Sequence, residues 1–120
     1  MQYALLIYGD ETQWSSLSDE DRSAAYSEYA QLSSDLGRQE KLRGGEELQS
    51  VVTATTVRIR DDETLVSDGP FAETKESLGG FFLVDAESLD EAIEWAARIP
   101  AARTGTVEVR PVVDHSEPGR

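Results

Sequence analysis

The sequence has 120 residues, of which 38% are hydrophobic, and it carries a formal net charge of −13 with no cysteine. This length is typical of one domain, and the lack of cysteine excludes disulfides, thiol catalysis and thiolate metal ligands. The negative charge repels phosphate backbones and anionic lipids, so neither a nucleic acid nor a membrane is predicted as a partner.

The chain begins with a predicted strand, Tyr3–Tyr8, which Gly9-Asp10 ends. Both alternating sets of its side chains are apolar, a pattern typical of a strand that is buried on both faces. The apolar run is too short for a signal sequence or a membrane span, and no basic region precedes it. A cytoplasmic location is therefore predicted.

A capping box, Ser18-Asp19-Glu20-Asp21, predicts the start of the first helix. The helix ends either at Gly37 or as late as Leu42, and Gly44-Gly45 is then interpreted as a turn before a short strand, Glu46–Gln49. The apolar residues at helical spacing, which form the predicted buried face, are Ala25, Tyr29, Leu32 and Leu36.

A β-hairpin is predicted next, from the β-branched, alternating segment Thr53–Arg60 and its return over Thr64–Ser67. The turn between them, Asp61-Asp62-Glu63, is interpreted as solvated in preference to a cation site.

The last part of the chain predicts strand, helix and strand. Phe81–Asp85 is again apolar on both faces, and Thr106–Val112 is the final strand. The capping box Ser88-Leu89-Asp90-Glu91 opens a helix that stops before Pro100. The predicted apolar face of this helix comprises Leu89, Ala92, Ile93, Ala96 and Ile99, with Trp95 on its flank. We predict one domain over residues 1–113 and a flexible tail over 114–120.

This order of elements predicts an α+β fold: a ferredoxin-like βαββαβ antiparallel sheet with two helices on one face and an inserted β-hairpin. Two helices can cover only one face of a sheet, whereas Tyr3–Tyr8 and Phe81–Asp85 are apolar on both. A second copy of the same sheet is the simplest cover for the other face, so a homodimer is predicted.

The densest cluster of turn residues that also contains candidate functional side chains is Asp68-Gly69-Pro70-Phe71. Gly69 and Pro70 shape a tight turn, and the Asp68 carboxylate is predicted to be at least half-buried and to accept N–H bonds from that turn. Phe71 is interpreted as an apolar anchor. The same loop is open to two interpretations, a rigid surface turn or a ligand-facing loop.

Several segments together resemble the YCII-related family, in its branch with the DGPF motif. The segments that carry the resemblance are Asp68-Gly69-Pro70-Phe71-Ala72-Glu73-Thr74-Lys75-Glu76, Leu78-Gly79-Gly80-Phe81, Gly45-Glu46-Glu47-Leu48, Thr53-Ala54-Thr55-Thr56-Val57-Arg58 and Val107-Glu108-Val109-Arg110-Pro111. The resemblance covers nearly the whole chain and implies a dimeric α–β barrel, in which two sheets pack face to face around a cleft.

The resemblance implies no secure activity. Members of the wider family carry a His in the first helix and an Asp before a Pro near the end of the second, proposed as an active pair. Those positions fall near Glu28 and Ile99 here, so neither residue is retained. The branch is also similar to proteins often encoded beside extracytoplasmic-function sigma factors, which implies a regulatory alternative.

The candidate catalytic residues are therefore Asp68, Glu73 and Lys75. Either carboxylate would act as a general base if burial raised its pKa, and Lys75 would hold an anionic substrate. The candidate binding residues are Asp68, Gly69, Pro70, Phe71, Lys75 and Arg110. Arg110 is interpreted first as one half of an interface ion pair with Glu108. His115 is interpreted as a solvated tail residue, and no metal and no cofactor is predicted.

Three hypotheses for the function remain open. The first, which we favour, is a small-molecule enzyme or ligand-binding dimer with a cleft near Asp68–Phe71. The second is an interaction or regulatory protein, which the charge of −13 suits because a basic partner would be attracted. The third is a fold without chemistry.

Overall fold

The computed structural model describes residues 1–116, so the end of the predicted tail lies outside the described residues. Over that range the chain is α+β, as predicted, with antiparallel sheets and three α-helices. The strands are β1 (Gln2–Gly9), β2 (Leu42–Glu47), β3 (Thr55–Arg60), β4 (Glu63–Asp68), β5 (Ser77–Asp85) and β6 (Thr106–Pro111). The helices are α1 (Glu11–Ser16), α2 (Asp19–Arg38) and α3 (Leu89–Ala97), and single 3-10 turns lie at Val51–Thr53 and Pro100–Arg103.

Four strands form one antiparallel sheet in the order β2-β5-β1-β6, and β3 pairs with β4 in a separate sheet. The predicted hairpin is thus confirmed. Its turn residues Asp61 and Asp62 have φ angles of 50° and 64°, in the left-handed region that two-residue hairpin turns use. The architecture is compatible with a ferredoxin-like fold that carries an inserted hairpin.

The core lies between one face of the four-stranded sheet and the helices α2 and α3. Leu32 and Leu36 of α2 are fully buried, which confirms half of the predicted apolar face. The buried hydrophobic residues are Tyr3, Leu5, Leu32, Leu36, Val84, Ala86, Ala92, Trp95, Ala96 and Ile99. The opposite face of the sheet, with Leu6, Phe81 and Leu83, is only half-buried in the single chain.

The predicted buried face of α3 is partly wrong. Leu89 and Ile93 are 50% and 48% exposed, whereas Trp95, predicted on the flank, is buried. The indole Nε1 of Trp95 donates to Glu91 Oε2 at 3.1 Å, so the large ring can be buried with its polar group satisfied. The helix consequently turns Ala92, Trp95 and Ala96 towards the core, and Ile99 is buried just beyond its end.

The interpretation of Gly44-Gly45 as a turn is also wrong, because both residues lie within β2. A Cβ on Gly45 would lie 2.8 Å from the carbonyl oxygen of Phe81, so glycine is needed here for close strand approach. Helix α2 ends at Arg38, and the strand that follows begins four residues before the predicted start at Glu46.

The second capping box is confirmed and extends into a network around Glu91. The Ser88 hydroxyl accepts from the N–H of Glu91, while the Glu91 carboxylate accepts from the N–H of Glu87 at 2.8 Å. Lys41 Nζ lies 2.9 Å from the same carboxylate. These bonds, chiefly the one from Glu87, lower the pKa of Glu91 to about 2.

We expect Glu91→Ala to lower the free energy of unfolding at pH 7 by about 1–3 kcal/mol, since it leaves these donors without their acceptor. Because the pKa of Glu91 is lowered on folding, its contribution is present above about pH 4.5 and is lost as the pH falls towards 2. The difference between the urea midpoints of wild type and variant should therefore shrink over that range. A difference that is constant with pH would contradict the assignment, and the exposed Glu94→Gln serves as the control.

Candidate functional site

A cleft of about 960 Å³ opens between α1, α2 and the ends of β2 and β5. Small-molecule sites are typically about 300–1,000 Å³, so the cleft has the size of a ligand site. The aromatic residues that line it are Trp14, Tyr26, Tyr29, Phe81 and Phe82. The acidic residues that line it are Asp10, Glu11, Glu46 and Glu47.

Helix α1, which was not predicted from the sequence, forms one wall of this cleft. Asp10 caps the helix, because the N–H and hydroxyl of Thr12 donate to Asp10 Oδ1 at 2.9 and 2.6 Å. The hydrogen bonds from Thr12 hold the pKa of Asp10 below its usual value, and the charge of Lys75 adds to the effect. Asp10 therefore does more than end the first strand.

The turn from α1 to α2 is held by Arg22. Its Nη1 donates to the carbonyl oxygen of Leu17 at 2.7 Å, and its Nη2 pairs with Asp19 at 2.6 Å. With the turn fixed, Trp14 meets Tyr26 edge-on, at 5.4 Å between ring centroids and an interplanar angle of 87°. The two rings form an aromatic corner at the mouth of the cleft.

Helix α2 places two tyrosines in the cleft. The Tyr26 hydroxyl donates to Glu47 Oε2 at 3.0 Å, which raises the pKa of Tyr26. Tyr29 stacks on Phe82 of β5, with centroids 6.4 Å apart and planes at 21°, and burial raises its pKa. Both hydroxyls therefore stay protonated at neutral pH, and the single O–H of Tyr26 is already donated to Glu47.

Glycine keeps the floor of the cleft clear of side chains. A Cβ on Gly80 would lie 2.8 Å from the carbonyl oxygen of Glu46, so β2 and β5 approach more closely than other residues allow. Glu47 lies directly opposite Gly80 in the ladder. The carboxylate of Glu47 consequently has no side chain across from it on β5.

Glu11 fastens the loop after β2 to α1. Its carboxylate accepts from the Ser50 hydroxyl and from the N–H of Val51, both at 2.8 Å. This link gives the cleft a side wall that consists of the loop over residues 48–50. At its other end the N–H of Leu48 donates to the carbonyl oxygen of Gly79 at 2.8 Å, so both ends of this wall are hydrogen-bonded to neighbouring elements.

The loop on which the sequence interpretation centred does not line this cleft. Asp68 is exposed, and no described residue donates to its carboxylate, so its predicted burial and turn-capping role are wrong. Phe71 is 80% exposed and anchors nothing in the single chain. The turn is held instead by backbone atoms of Gly69, whose N–H donates to Ala54 at 2.7 Å and whose carbonyl accepts from Thr56 Oγ1 at 2.7 Å.

Gly69 does have the predicted unusual backbone, with φ of 93°. That conformation and the two hydrogen bonds made by the backbone of Gly69 already define the turn. The turn therefore needs no carboxylate cap. The sequence could not show this, since both bonds come from residues thirteen or more positions away.

The other candidate residues also lie outside the lining of the cleft. Glu73 and Lys75 are exposed, and Lys75 lies near Asp10 at the rim of the cleft. Arg110 forms an ion pair with Glu108 at 2.7 Å on the outer face of the sheet, which confirms the predicted pairing. The place of this pair at an interface stays a prediction. His115 is exposed after the last strand. None of Asp68, Glu73, Lys75 and Arg110 is among the residues that line the cleft.

Within residues 1–116, no group of three or more His, Cys, Asp or Glu side chains is arranged to hold a metal ion. Within the same range, no helix is both long and apolar enough to cross a membrane.

We expect Asp68→Ala to change the free energy of unfolding by less than about 0.5 kcal/mol, because an exposed carboxylate without a partner contributes little. Thr56→Ala, by contrast, removes the bond to the carbonyl of Gly69 and should cost about 1 kcal/mol. Urea midpoints of the two variants test this order. A larger loss for Asp68→Ala than for Thr56→Ala would restore the capping role of the carboxylate.

The residues that sequence reasoning missed are Trp14, Tyr26 and Glu47. Trp14 belongs to a helix of six residues without an apolar period, and Tyr26 lies outside the predicted apolar face of α2. Tyr29 was assigned to the core, and it does pack against the core while also lining the cleft. An available signal was the spacing of Tyr26 and Tyr29, which are three residues apart and therefore neighbours on one side of α2.

A domain family and a known protein each match nearly the whole chain. The sequence profile of the YCII-related domain matches residues 1–116. A protein of Rhizobium meliloti (strain 1021) is 42% identical over 121 residues, which cover 93% of this chain and 92% of that protein. That relative is itself described as uncharacterised.

Proposed function

Because the chain belongs to the YCII-related family, whose matched relative has no described activity, we propose from its own geometry that it binds a small organic molecule. The site is the cleft between α1, α2 and the ends of β2 and β5. The observation that carries the proposal is the aromatic lining of a cleft this large, where Trp14, Tyr26 and Tyr29 present ring surface to solvent-accessible space.

The arrangement of polar groups supports the same proposal. Ligand sites combine apolar walls with a few fixed polar groups, and here the fixed groups are the tyrosine hydroxyls and the carboxylate of Glu47. Each stands on a helix or strand, not on a free loop. The cleft therefore offers a preorganised surface, which lowers the entropic cost of binding.

A thermal-shift screen against metabolites tests the proposal, because a ligand stabilises the fold according to its concentration relative to Kd. The chain has two tryptophans, Trp14 in the cleft and Trp95 in the core. A hit that binds in the cleft should change the fluorescence of Trp95→Phe, in which only Trp14 reports. The same hit should leave the emission of Trp14→Phe unchanged. Hits that alter only the emission of Trp95 would contradict the proposed site.

The functional unit is, in our proposal, a homodimer. The outer face of the sheet carries half-buried apolar residues, including Leu6 and Leu83, that no helix covers. The hairpin has one apolar face as well, on which Val57 and Val66 pair and are 60% and 63% exposed. An isolated hairpin is marginally stable, so a partner copy that packs on both surfaces would stabilise the fold.

We expect light scattering at micromolar concentration to give twice the chain mass of 13.2 kDa. Val66→Asp, which places a charge on the apolar face of the hairpin, should weaken the dimer by about tenfold or more. The control is Ser67→Asp, which adds the same charge to the neighbouring residue on the opposite face. A wild-type mass of 13.2 kDa, or equal effects of the two variants, would contradict this interface.

A further inference from the structure

We propose that the ligand of the cleft is an organic cation with an apolar body, such as an amine or a quaternary ammonium compound. This inference rests on the proposed function and adds the chemical class of the ligand. It is carried by the kinds of side chain that line the cleft and by the partners that those side chains already have.

The lining carries negative charge only. Four carboxylates, from Asp10, Glu11, Glu46 and Glu47, border the cleft, and no lysine or arginine does so among the described residues. A concave surface with one sign of charge concentrates the opposite sign from solution and disfavours ligands of its own sign. Anionic ligands such as phosphates and carboxylates therefore find no counter-charge in the cleft.

Arg22 and Arg103, the arginines whose charges act on the two tyrosines of the cleft, are already engaged. Arg22 is bound by the carbonyls of the α1–α2 turn and by Asp19. Arg103 makes two bonds to the carboxylate of Glu28, at 3.1 and 2.8 Å. Lys75 lies near Asp10, so its charge acts at the rim beside α1 and not at the end of β2.

One of the four carboxylates, that of Glu47, remains open to a ligand beside the aromatic rings. Asp10 and Glu11 accept from Thr12, Ser50 and Val51 and act as structural caps. Glu46 pairs with Phe81 in the ladder, so its side chain points with Phe81 to the outer face of the sheet, away from that of Glu47. Glu47 accepts from Tyr26 through Oε2, and no described residue donates to its Oε1.

The aromatic rings complete a site for a cation. Trp and Tyr rings attract ammonium groups through their π faces, and clusters of such rings are a known way to recognise quaternary ammonium ligands. Tyr26 links the aromatic and the acidic parts of this site, since its ring contacts Trp14 edge-on and its hydroxyl donates to Glu47. The head group of the ligand would lie at this corner, and its apolar body would lie along Tyr29 and Phe82.

A matched series of three probes tests the class of ligand on the full-length protein: 3-phenylpropylamine, 3-phenylpropan-1-ol and 3-phenylpropanoate. They share one apolar body and differ in the charge of the head group. We expect the protonated amine to bind roughly tenfold more tightly than the alcohol, and the carboxylate to bind most weakly, by titration of the Trp14 emission in Trp95→Phe.

Glu47→Gln keeps the shape of the side chain and an acceptor for Tyr26 but removes the charge. In this variant the preference for the amine over the alcohol should fall to roughly a third or less. Glu94→Gln, which removes one charge from exposed α3 outside this cleft, should leave the preference unchanged.

Tighter or equal binding of the alcohol, or an equal loss of preference in Glu47→Gln and Glu94→Gln, would overturn the cation class while the cleft remains a binding site. A lack of binding by all three probes would also overturn the class. The proposed function is tested separately, because the metabolite screen contains neutral and anionic compounds.

Discussion

We expect Leu36→Ala to lower the free energy of unfolding by about 2–5 kcal/mol. Leu36 is fully buried between α2 and the sheet, in a cluster with Leu5, Leu32 and Ile99. Truncation removes the transfer free energy of the side chain and leaves a cavity that the close-packed neighbours fill only in part.

The matched control is Leu89→Ala, the same change at a leucine that is 50% exposed at the start of α3. It should cost less than about 0.5 kcal/mol, because little apolar surface returns to water and no cavity forms. Urea denaturation of both variants, with the slope of unfolding checked for constancy, measures the difference. Equal losses would show that the core is not centred on Leu36.

This pair also shows how far helical periodicity predicts burial. In α2 the spacing identified Leu32 and Leu36 correctly, because a helix of twenty residues contains several turns of one apolar stripe. In α3, with nine residues, the predicted face is correct at Ala92, Ala96 and Ile99. It is wrong at Leu89 and Ile93, because the structure buries the large ring of Trp95 instead.

The capping boxes were predicted well because they depend on local spacing. Ser18 accepts from the N–H of Asp21 and Ser88 from that of Glu91, as their sequences indicate. Helix α1 escaped prediction because its cap, Asp10, follows a strand directly and the helix lacks an apolar period. Local signals thus located the starts of the long helices and missed a short one.

The candidate site was predicted least well because its parts meet only in three dimensions. Trp14, Tyr26 and Glu47 come from α1, α2 and β2, and nothing in their sequence spacing links them. The loop Asp68–Phe71 drew the prediction because turn residues cluster there, but such residues shape the backbone whether or not a ligand is near. The cluster of turn residues correctly indicated an unusual backbone conformation at Gly69. It did not indicate where the cleft lies.

Gly105→Ala is the second substitution for which we expect a large effect, a loss of about 1–3 kcal/mol in the free energy of unfolding. A Cβ at this position would overlap the carbonyl oxygen of Tyr8 and lie 3.2 Å from Cα of Gly9. Neither neighbour can yield easily, because Tyr8 is paired with β5 on one side and with β6 on the other.

The strain should also reach the cleft, since β1 leads directly into Asp10 and α1. We therefore expect Gly105→Ala to alter the emission of Trp14 in the folded protein as well as the urea midpoint. Gly37→Ala is the control: a Cβ there meets nothing within 4 Å, and alanine in α2 should stabilise the protein by about 0.5–1 kcal/mol. If Gly105→Ala unfolded at the wild-type urea midpoint, the end of β1 would have to be free to move. The wall that α1 forms would then not be the rigid surface that a preorganised cleft requires.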